Sequence, residues 1–114
     1  NDDSSARFHC EIASARTFCF QSDVQQMQKS GLIKGGSLQN AVVFGQEHGD
    51  CLTSGGLRFD DEPCRHKLLD CIGDLSLAGA PLIGRVDALR PGHEINRQAL
   101  RALFSDSDNY EIVE

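Results

Sequence analysis

Three side chains that can bind metals or move protons follow one another at intervals of four residues: His66, Asp70 and Asp74. On an α-helix, residues four apart lie on the same face, so the sequence predicts a polar row along one helix. Imidazole nitrogen and carboxylate oxygen both bind zinc, and a catalytic zinc takes three protein ligands and a water. His66 and Asp70 could supply two of them. Taken alone, the spacing favours a solvated helix face with an ordinary His–Asp contact.

His93 is the second histidine in a position where chemistry is plausible, because it follows Pro91-Gly92 at the mouth of a predicted helix. Such positions are exposed and constrained by the backbone, as catalytic loop residues often are. His93 could be a third metal ligand, an acid–base group or a helix cap. By itself the pattern favours a cap or surface role. His9 and His48 have no neighbours that resemble ligands, and we assign them no role.

The elements that must position these side chains alternate between helix and strand. The helix that carries the polar row is predicted from about Asp61 to Leu77, because acidic residues and Pro63 suit its first turn. Gly79 and Pro81 should end it. The other predicted helices run from Ser4 or Ser5 to about Ile12, from Ser22 or Asp23 to Gly31, and from about Glu94 to Phe104. The predicted strands are Thr17–Phe20, Ala41–Phe44 and Leu82–Leu89.

This alternation predicts an α+β domain, a two-layer sandwich with a small sheet packed against helices. A β-α-β excursion at about residues 18–44 should form an insert. The length of 114 residues fits one small domain with one core. The chain starts at Asn1, so we expect a piece cut from a longer protein, with a processed mature protein as the alternative.

Charge and cysteine content exclude several classes of protein. The net charge of -6 argues against a general nucleic-acid binder, which must neutralise phosphates. No apolar run approaches the roughly 20 residues of a membrane span. The five cysteines include no Cys-x-x-Cys pair. We therefore expect reduced thiols in a reducing compartment, which favours a cytoplasmic protein.

Five motifs, taken in order, closely resemble the UDP-3-O-acyl-N-acetylglucosamine deacetylase (LpxC) family over about residues 4–104. They are Ser14–Phe18, Gly31–Ser37, Gly56–Glu62, the His-Lys-x-x-Asp-x-x-Gly-Asp run of His66–Asp74, and Gly92–Asn96. The resemblance implies that residues 1–114 are the second, C-terminal domain of a two-domain zinc deacetylase. It also implies the reaction, the deacetylation of UDP-3-O-acyl-N-acetylglucosamine in the committed step of lipid A biosynthesis.

The resemblance further implies a role for each candidate site residue. His66 and Asp70 would bind Zn²⁺, while the N-terminal domain of the same protein would supply the third ligand and a glutamate base. The catalytic residues would be Thr17, which donates a hydrogen bond to the oxyanion, and a charged His93 paired with Asp74. The substrate-binding residues would be Thr17, Lys67, Phe18 and Phe20. With half of the site missing, the isolated fragment should be inactive.

Two other functions remain compatible with the residues. The chain could be a non-catalytic binding or interaction domain of the same fold, in which the polar row only solvates a helix. A self-contained hydrolase could instead use His66, Asp70 and His93 as a complete zinc site. The second alternative requires His93 as a metal ligand, which the family resemblance contradicts.

Overall fold

The computed structural model describes residues 2–31, 40–46 and 49–114. It divides into two compact units, Asn1–His66 and Lys67–Glu114, with the boundary inside one helix. Four α-helices and a two-stranded sheet give a small α+β fold in the described residues. In chain order they are α1 (Asp2–Glu11), β1 (Thr17–Phe20), α2 (Gln21–Lys29), β2 (Ala41–Phe44), α3 (Glu62–Leu75) and α4 (His93–Phe104).

The first unit contains the sheet, whose two strands are parallel. Thr17 pairs with Ala41 and Phe20 with Phe44, so the strands align along their whole lengths. The predictions of strands at Thr17–Phe20 and Ala41–Phe44 are confirmed, since β-branched and aromatic residues favour a pleated, half-buried surface. Parallel neighbours need a crossover connection, and α2 lies within it. The buried side chains of this unit include Val24 of α2 and Val42 of β2.

The helices begin and end close to the predicted positions, with differences at their caps. Ser4 and Ser5 lie inside α1, not at its start, and acidic residues at its beginning suit the positive helix end. Phe20 is the N-cap of α2, because the helix follows β1 directly. Ser30 bonds back to the carbonyl of Gln26 at 2.7 Å and ends the helix.

Beyond β2 the chain turns back on itself. The amide of Gly45 donates to the carbonyl of Asp50 at 2.8 Å, and Leu52 donates to Val43 at 2.8 Å. Thr53 then binds the outer edge of β2, because its Oγ1 accepts a hydrogen bond from the amide of Val43 at 2.8 Å. One side chain therefore satisfies a backbone donor of a buried strand residue.

We expect Thr53→Val, which keeps the shape and removes the hydroxyl, to lower the free energy of unfolding by about 1–2 kcal/mol. The amide of Val43 would lose its partner while the residue stays 7% exposed. Urea unfolding followed by far-UV circular dichroism measures the change. Ser54→Ala, an exposed neighbouring substitution, is the control, and equal stability of the two variants would contradict this role.

In the second unit, α3 ends at Leu75 and a 3₁₀ turn, Ser76–Ala78, leads to Gly79. Gly79 has a φ of 81°, a conformation in which glycine ends a helix without steric cost. The buried side chains are Cys71 of α3 and Leu100 of α4, with Asn96 as a buried polar residue. After α4 a 3₁₀ turn forms at Ser107–Asn109.

The strand predicted at Leu82–Leu89 is wrong, because residues 82–89 lie in no strand, helix or bridge. A strand is stabilised by a neighbouring strand, so alternating apolar residues cannot form one alone. The apolar side chains of this segment are exposed, with Ile83 at 86% and Leu89 at 89%. None of the helices in the described residues is long and apolar enough to cross a membrane.

Candidate active site

His66 is held in a defined orientation within the first unit. Its Nδ1 lies 2.9 Å from the carbonyl oxygen of Ala15. A carbonyl oxygen can only accept, so the imidazole donates from Nδ1, and the neutral ring then carries its lone pair on Nε2. Histidines that bind metals typically make this kind of bond with their other nitrogen, since it fixes both tautomer and ring orientation.

The buried carboxylate of Glu62 ties the segment before β1 to the first turn of α3. It accepts hydrogen bonds from the backbone amide and Nε of Arg16, each at 2.9 Å. Nη2 of Arg16 donates to the other carboxylate oxygen at 3.1 Å, as does the amide of Arg58 at 2.8 Å. The Glu62 side chain is wholly buried. These bonds position both the Ala15 carbonyl and the start of β1.

The ion pair and its hydrogen bonds also set the protonation state of Glu62. The guanidinium of Arg16 lowers the pKa of Glu62 from an ordinary value of 4.5 to about 2, overcoming the opposing effect of burial. The amides of Arg16 and Arg58 act in the same direction. Glu62 is therefore ionised throughout the neutral range. Sequence analysis missed this pair, because its partners are 46 residues apart and no local pattern links them.

Three of the predicted site residues lie on β1. Thr17 is exposed, Phe18 is half-buried and Phe20 is 48% exposed. The rings of Phe18 and Phe20 both lie near Phe44 of β2, with centroids 6.4 and 6.3 Å away. Residues two apart on a strand share one face of the sheet. The sheet therefore presents an aromatic cluster, Phe18, Phe20 and Phe44, on one face.

The second unit brings Asp74 and His93 together, as the family resemblance implies. Nδ1 of His93 lies 2.7 Å from Oδ2 of Asp74. Since an ionised carboxylate accepts hydrogen bonds, Nδ1 is the donor and the contact is charge-assisted when the ring is protonated. The other ring nitrogen, Nε2, lies 3.9 Å from Oδ2 of Asp70. His93 is the first residue of α4, after the N-cap Gly92, so it does not itself cap the helix.

Asn96 completes this cluster, although sequence analysis gave it no role. Its Nδ2 donates to the same Asp74 oxygen, Oδ2, at 2.9 Å. The amide of Asn96, and then the imidazole of His93, lower the pKa of Asp74. Asn96 stands three residues after His93 on α4, so the two share a helix face. That spacing is the signal that could have identified it. We call Asp74, His93 and Asn96 the Asp74 cluster.

The donor chemistry of α3 suits a zinc ion in part. His66 and Asp70 are four residues apart on this helix, which places an imidazole and a carboxylate on one side of it. Both groups are ordinary zinc ligands. Within residues 2–31, 40–46 and 49–114, no group of three or more His, Cys, Asp or Glu side chains is placed to hold a metal.

Two further features predicted from the sequence are Lys67 and the motif Gly31–Ser37. Lys67 follows His66 on α3 and is half-buried. Of the motif Gly31–Ser37, residues 32–37 lie outside the described residues, as do residues 32–39 of the predicted insert at 18–44. A shallow depression in the first unit is lined by Leu57–Asp61 and Arg65. It contains none of the predicted site residues.

The family model and the similar proteins of known name indicate the same family. The model of the family described as LpxC, UDP-3-O-acyl N-acetylglycosamine deacetylase, matches residues 1–105. A protein of Anaeromyxobacter sp. (strain Fw109-5) named UDP-3-O-acyl-N-acetylglucosamine deacetylase is 46% identical over 106 residues, which cover 93% of this chain and 34% of that protein. The protein of the same name from Brucella ovis is 46% identical over 107 residues, or 94% of this chain and 37% of its own length.

The chain thus spans about a third of the length of these relatives, as the coverage of 34% and 37% shows. The match extends over both units and includes the residues of the Asp74 cluster and of α3. A family match over more than nine-tenths of the sequence does not arise from one short motif. The chain belongs to the UDP-3-O-acyl N-acetylglycosamine deacetylase (LpxC) family.

Proposed function

We propose that this chain supplies part of the active site of a zinc-dependent deacetylase that acts on UDP-3-O-acyl-N-acetylglucosamine, the committed step of lipid A biosynthesis. The observation that carries the proposal is the hydrogen bond of 2.7 Å between His93 and Asp74, in a chain of this family. An exposed imidazole with one nitrogen held by a carboxylate has a defined orientation in which it can act as a general acid. The relatives' names supply the substrate and the reaction.

His66 and Asp70 are the proposed zinc ligands of this chain. The tautomer of His66 supports this assignment, because donation from Nδ1 to Ala15 leaves the lone pair on Nε2. Asp70 contributes a carboxylate one helical turn away. We propose that the third ligand, a histidine, and a glutamate base come from the N-terminal domain of the same protein. Two ligands alone should bind zinc weakly.

When bound, the metal would supply an activated water and a Lewis acid for the amide carbonyl. The residues of this chain would complete the reaction. Because Nδ1 of His93 is engaged with Asp74, the proton that His93 delivers to the departing amine is the one on Nε2. The positive ring would also stabilise negative charge on the reacting oxygen, and the hydroxyl of Thr17 would donate a hydrogen bond to it.

Substrate recognition would use the remaining predicted residues. Lys67, beside His66, would contact the polar sugar nucleotide. Phe18 and Phe20 already form one face of an aromatic cluster with Phe44, and this surface would contact the acyl chain. Each methylene buried there would contribute about 0.8 kcal/mol, so the cluster could discriminate chain length. We also propose that this chain is the C-terminal domain, a two-layer sandwich in which the unit β1-α2-β2 is an insert.

The decisive experiment measures acetate release from UDP-3-O-acyl-N-acetylglucosamine by the complete protein. We expect activity to fall on removal of metal with a chelator and to return when zinc is added. Metal content, measured by plasma mass spectrometry, should approach one zinc per protein molecule, the stoichiometry of a single catalytic site. A zinc-loaded, folded protein that releases no acetate would overturn the proposal and favour a binding or interaction domain.

Asp74→Asn should lower kcat by about 100-fold or more in the complete protein, while bound zinc stays near the wild-type amount. The substitution removes the negative charge that orients the ring of His93 and pairs with its positive form. Steady-state kinetics and metal analysis measure the two effects. Asp87→Asn is the control, because Asp87 is exposed and paired with Arg85. Loss of zinc together with activity would contradict the separate role of Asp74.

A further inference from the structure

In the second unit, one oxygen of Asp74 accepts hydrogen bonds from the side chains of two different residues. Oδ2 of Asp74 accepts from Nδ1 of His93 at 2.7 Å and from Nδ2 of Asn96 at 2.9 Å. A carboxylate oxygen offers two lone pairs, so these donors can fill both. The two donors come from one helix face, since they are three residues apart on α4. The acceptor comes from the last turn of α3.

The exposed fraction of the side chains decreases from His93 to Asp74 to Asn96. The side chain of His93 is 58% exposed and that of Asp74 is 16% exposed. Asn96 is buried, with 4% of its surface accessible. An exposed imidazole has few packing contacts of its own, so its orientation depends on the group it bonds. The carboxylate of Asp74 in turn accepts from the amide of Asn96, whose burial limits the rotamers that it can adopt.

We propose that Asn96 is a positioning residue for the reaction, which fixes the rotation of the Asp74 carboxylate so that His93 presents Nε2 to the substrate. The inference rests on the proposed function, and it assigns Asn96 a role that acts through Asp74 and not through contact with substrate. Without the amide donor, the carboxylate can turn about its Cβ–Cγ bond and follow the imidazole. With it, a turn of the carboxylate weakens a partly buried hydrogen bond.

The expected loss of kcat depends on how precisely the catalytic groups must be placed. Catalytic groups must be held within about 0.5 Å of their working positions, and a displacement of about 1 Å can cost about 100-fold in rate. Asn96→Leu keeps a similar volume and removes the donor. We expect it to lower kcat by about 10- to 100-fold with KM nearly unchanged, because Asn96 does not touch substrate.

The first experiment compares Asn96→Leu with Gln98→Leu in the complete, zinc-loaded protein. Gln98 lies on the same helix and is exposed, where it bonds Glu94 at 3.2 Å. We expect normal kcat from the Gln98 variant and reduced kcat from the Asn96 variant. Asn96→Thr, which retains a hydrogen-bond donor, should recover part of the loss. Unchanged kcat in Asn96→Leu would overturn the inference.

A double-mutant cycle separates positioning from a general loss of structure. If Asn96 acts through Asp74, then adding Asn96→Leu to Asp74→Ala should change kcat little further, so the two effects are strongly non-additive. If the two losses multiply, Asn96 acts on the reaction independently of Asp74 and the inference is wrong. Zinc content of each variant should equal that of the wild type.

A measurement without turnover separates this inference from the proposed function. In protein labelled with ¹⁵N-histidine, the two ring nitrogens of His93 report its bond to Asp74 through their chemical shifts, and this NMR signal should change in Asn96→Leu and not in Gln98→Leu. If the protein has no deacetylase activity but the signal changes in this way, the proposed function fails and Asn96 still positions the imidazole. A signal that is unaffected by Asn96→Leu would overturn the inference whatever the activity.

Discussion

Glu62→Gln should destabilise the chain by about 3–5 kcal/mol, since removing one partner of a buried ion pair leaves the other charge without compensation. Glu62 accepts hydrogen bonds from two backbone amides and from the Arg16 guanidinium. Its side chain is fully buried and that of Arg16 is 12% exposed. Urea unfolding followed by circular dichroism would measure the loss. A loss of this size is a large share of the free energy of unfolding of a small domain.

Acid unfolding provides a second measure of the same interaction. The pKa of Glu62 is lowered from 4.5 to about 2 in the folded chain, which corresponds to about 3 kcal/mol of stability. A lowered pKa means that this stability is fully present above the unfolded value. It is lost progressively as pH falls from about 5 towards 2. The slope of stability against pH in this range should be smaller in Glu62→Gln.

Asp61→Asn is the matched control for Glu62, because it removes a neighbouring charge that is exposed. Asp61 pairs with Arg65 at 2.6 Å, but its side chain is 59% accessible. Solvent weakens such pairs, and we expect a much smaller loss of stability than in Glu62→Gln. If the two variants lost equal stability, the hydrogen bonds around Glu62 would not have the importance assigned to them.

His66→Ala should abolish most zinc binding by the complete protein and reduce deacetylation by about 100-fold or more, because a zinc ligand is lost. The hydrogen bond to Ala15 disappears as well, but one such bond contributes only about 1 kcal/mol to stability. The variant should therefore remain folded. Metal analysis and kinetics, with circular dichroism as a check of folding, measure the three quantities.

His9→Ala serves as the matched control for His66, since His9 is an exposed residue of α1. It should keep wild-type zinc content and activity. If His66→Ala retained zinc and normal turnover, α3 would not hold the metal. The activity of the whole protein would then need another explanation. Loss of activity with zinc fully retained would make His66 an acid–base group instead of a ligand.

Local patterns predicted most of the helices and both strands of the sheet. Acidic residues and Pro63 indicated the start of α3, and the observed first residue is Glu62. Gly79 indicated its end, and its φ of 81° explains why. These signals depend on neighbours along the chain. The strand predicted at 82–89 depended on a partner strand, and alternation of apolar residues does not supply one.

The candidate site could be predicted only where helix spacing determines the geometry. His66, Asp70 and Asp74 follow from intervals of four residues, whereas the contacts that orient them do not. Asp74 meets His93 across 19 residues and His66 meets Ala15 across 51. The family resemblance indicated the first of these contacts. The bond to Ala15 and the shared oxygen of Asp74 required tertiary structure.

The exposed apolar residues of the segment 82–89 have a practical consequence for handling this chain. Ile83 and Leu89 project into water, and the charges of Arg85 and Asp87 neutralise one another at 2.9 Å. Self-association between molecules is favoured by a segment that exposes apolar side chains, has no net charge and leaves its backbone groups unpaired. Expressed by itself at high concentration, the chain should accumulate as insoluble material. Two lysines in place of Ile83 and Leu89 should keep it dispersed.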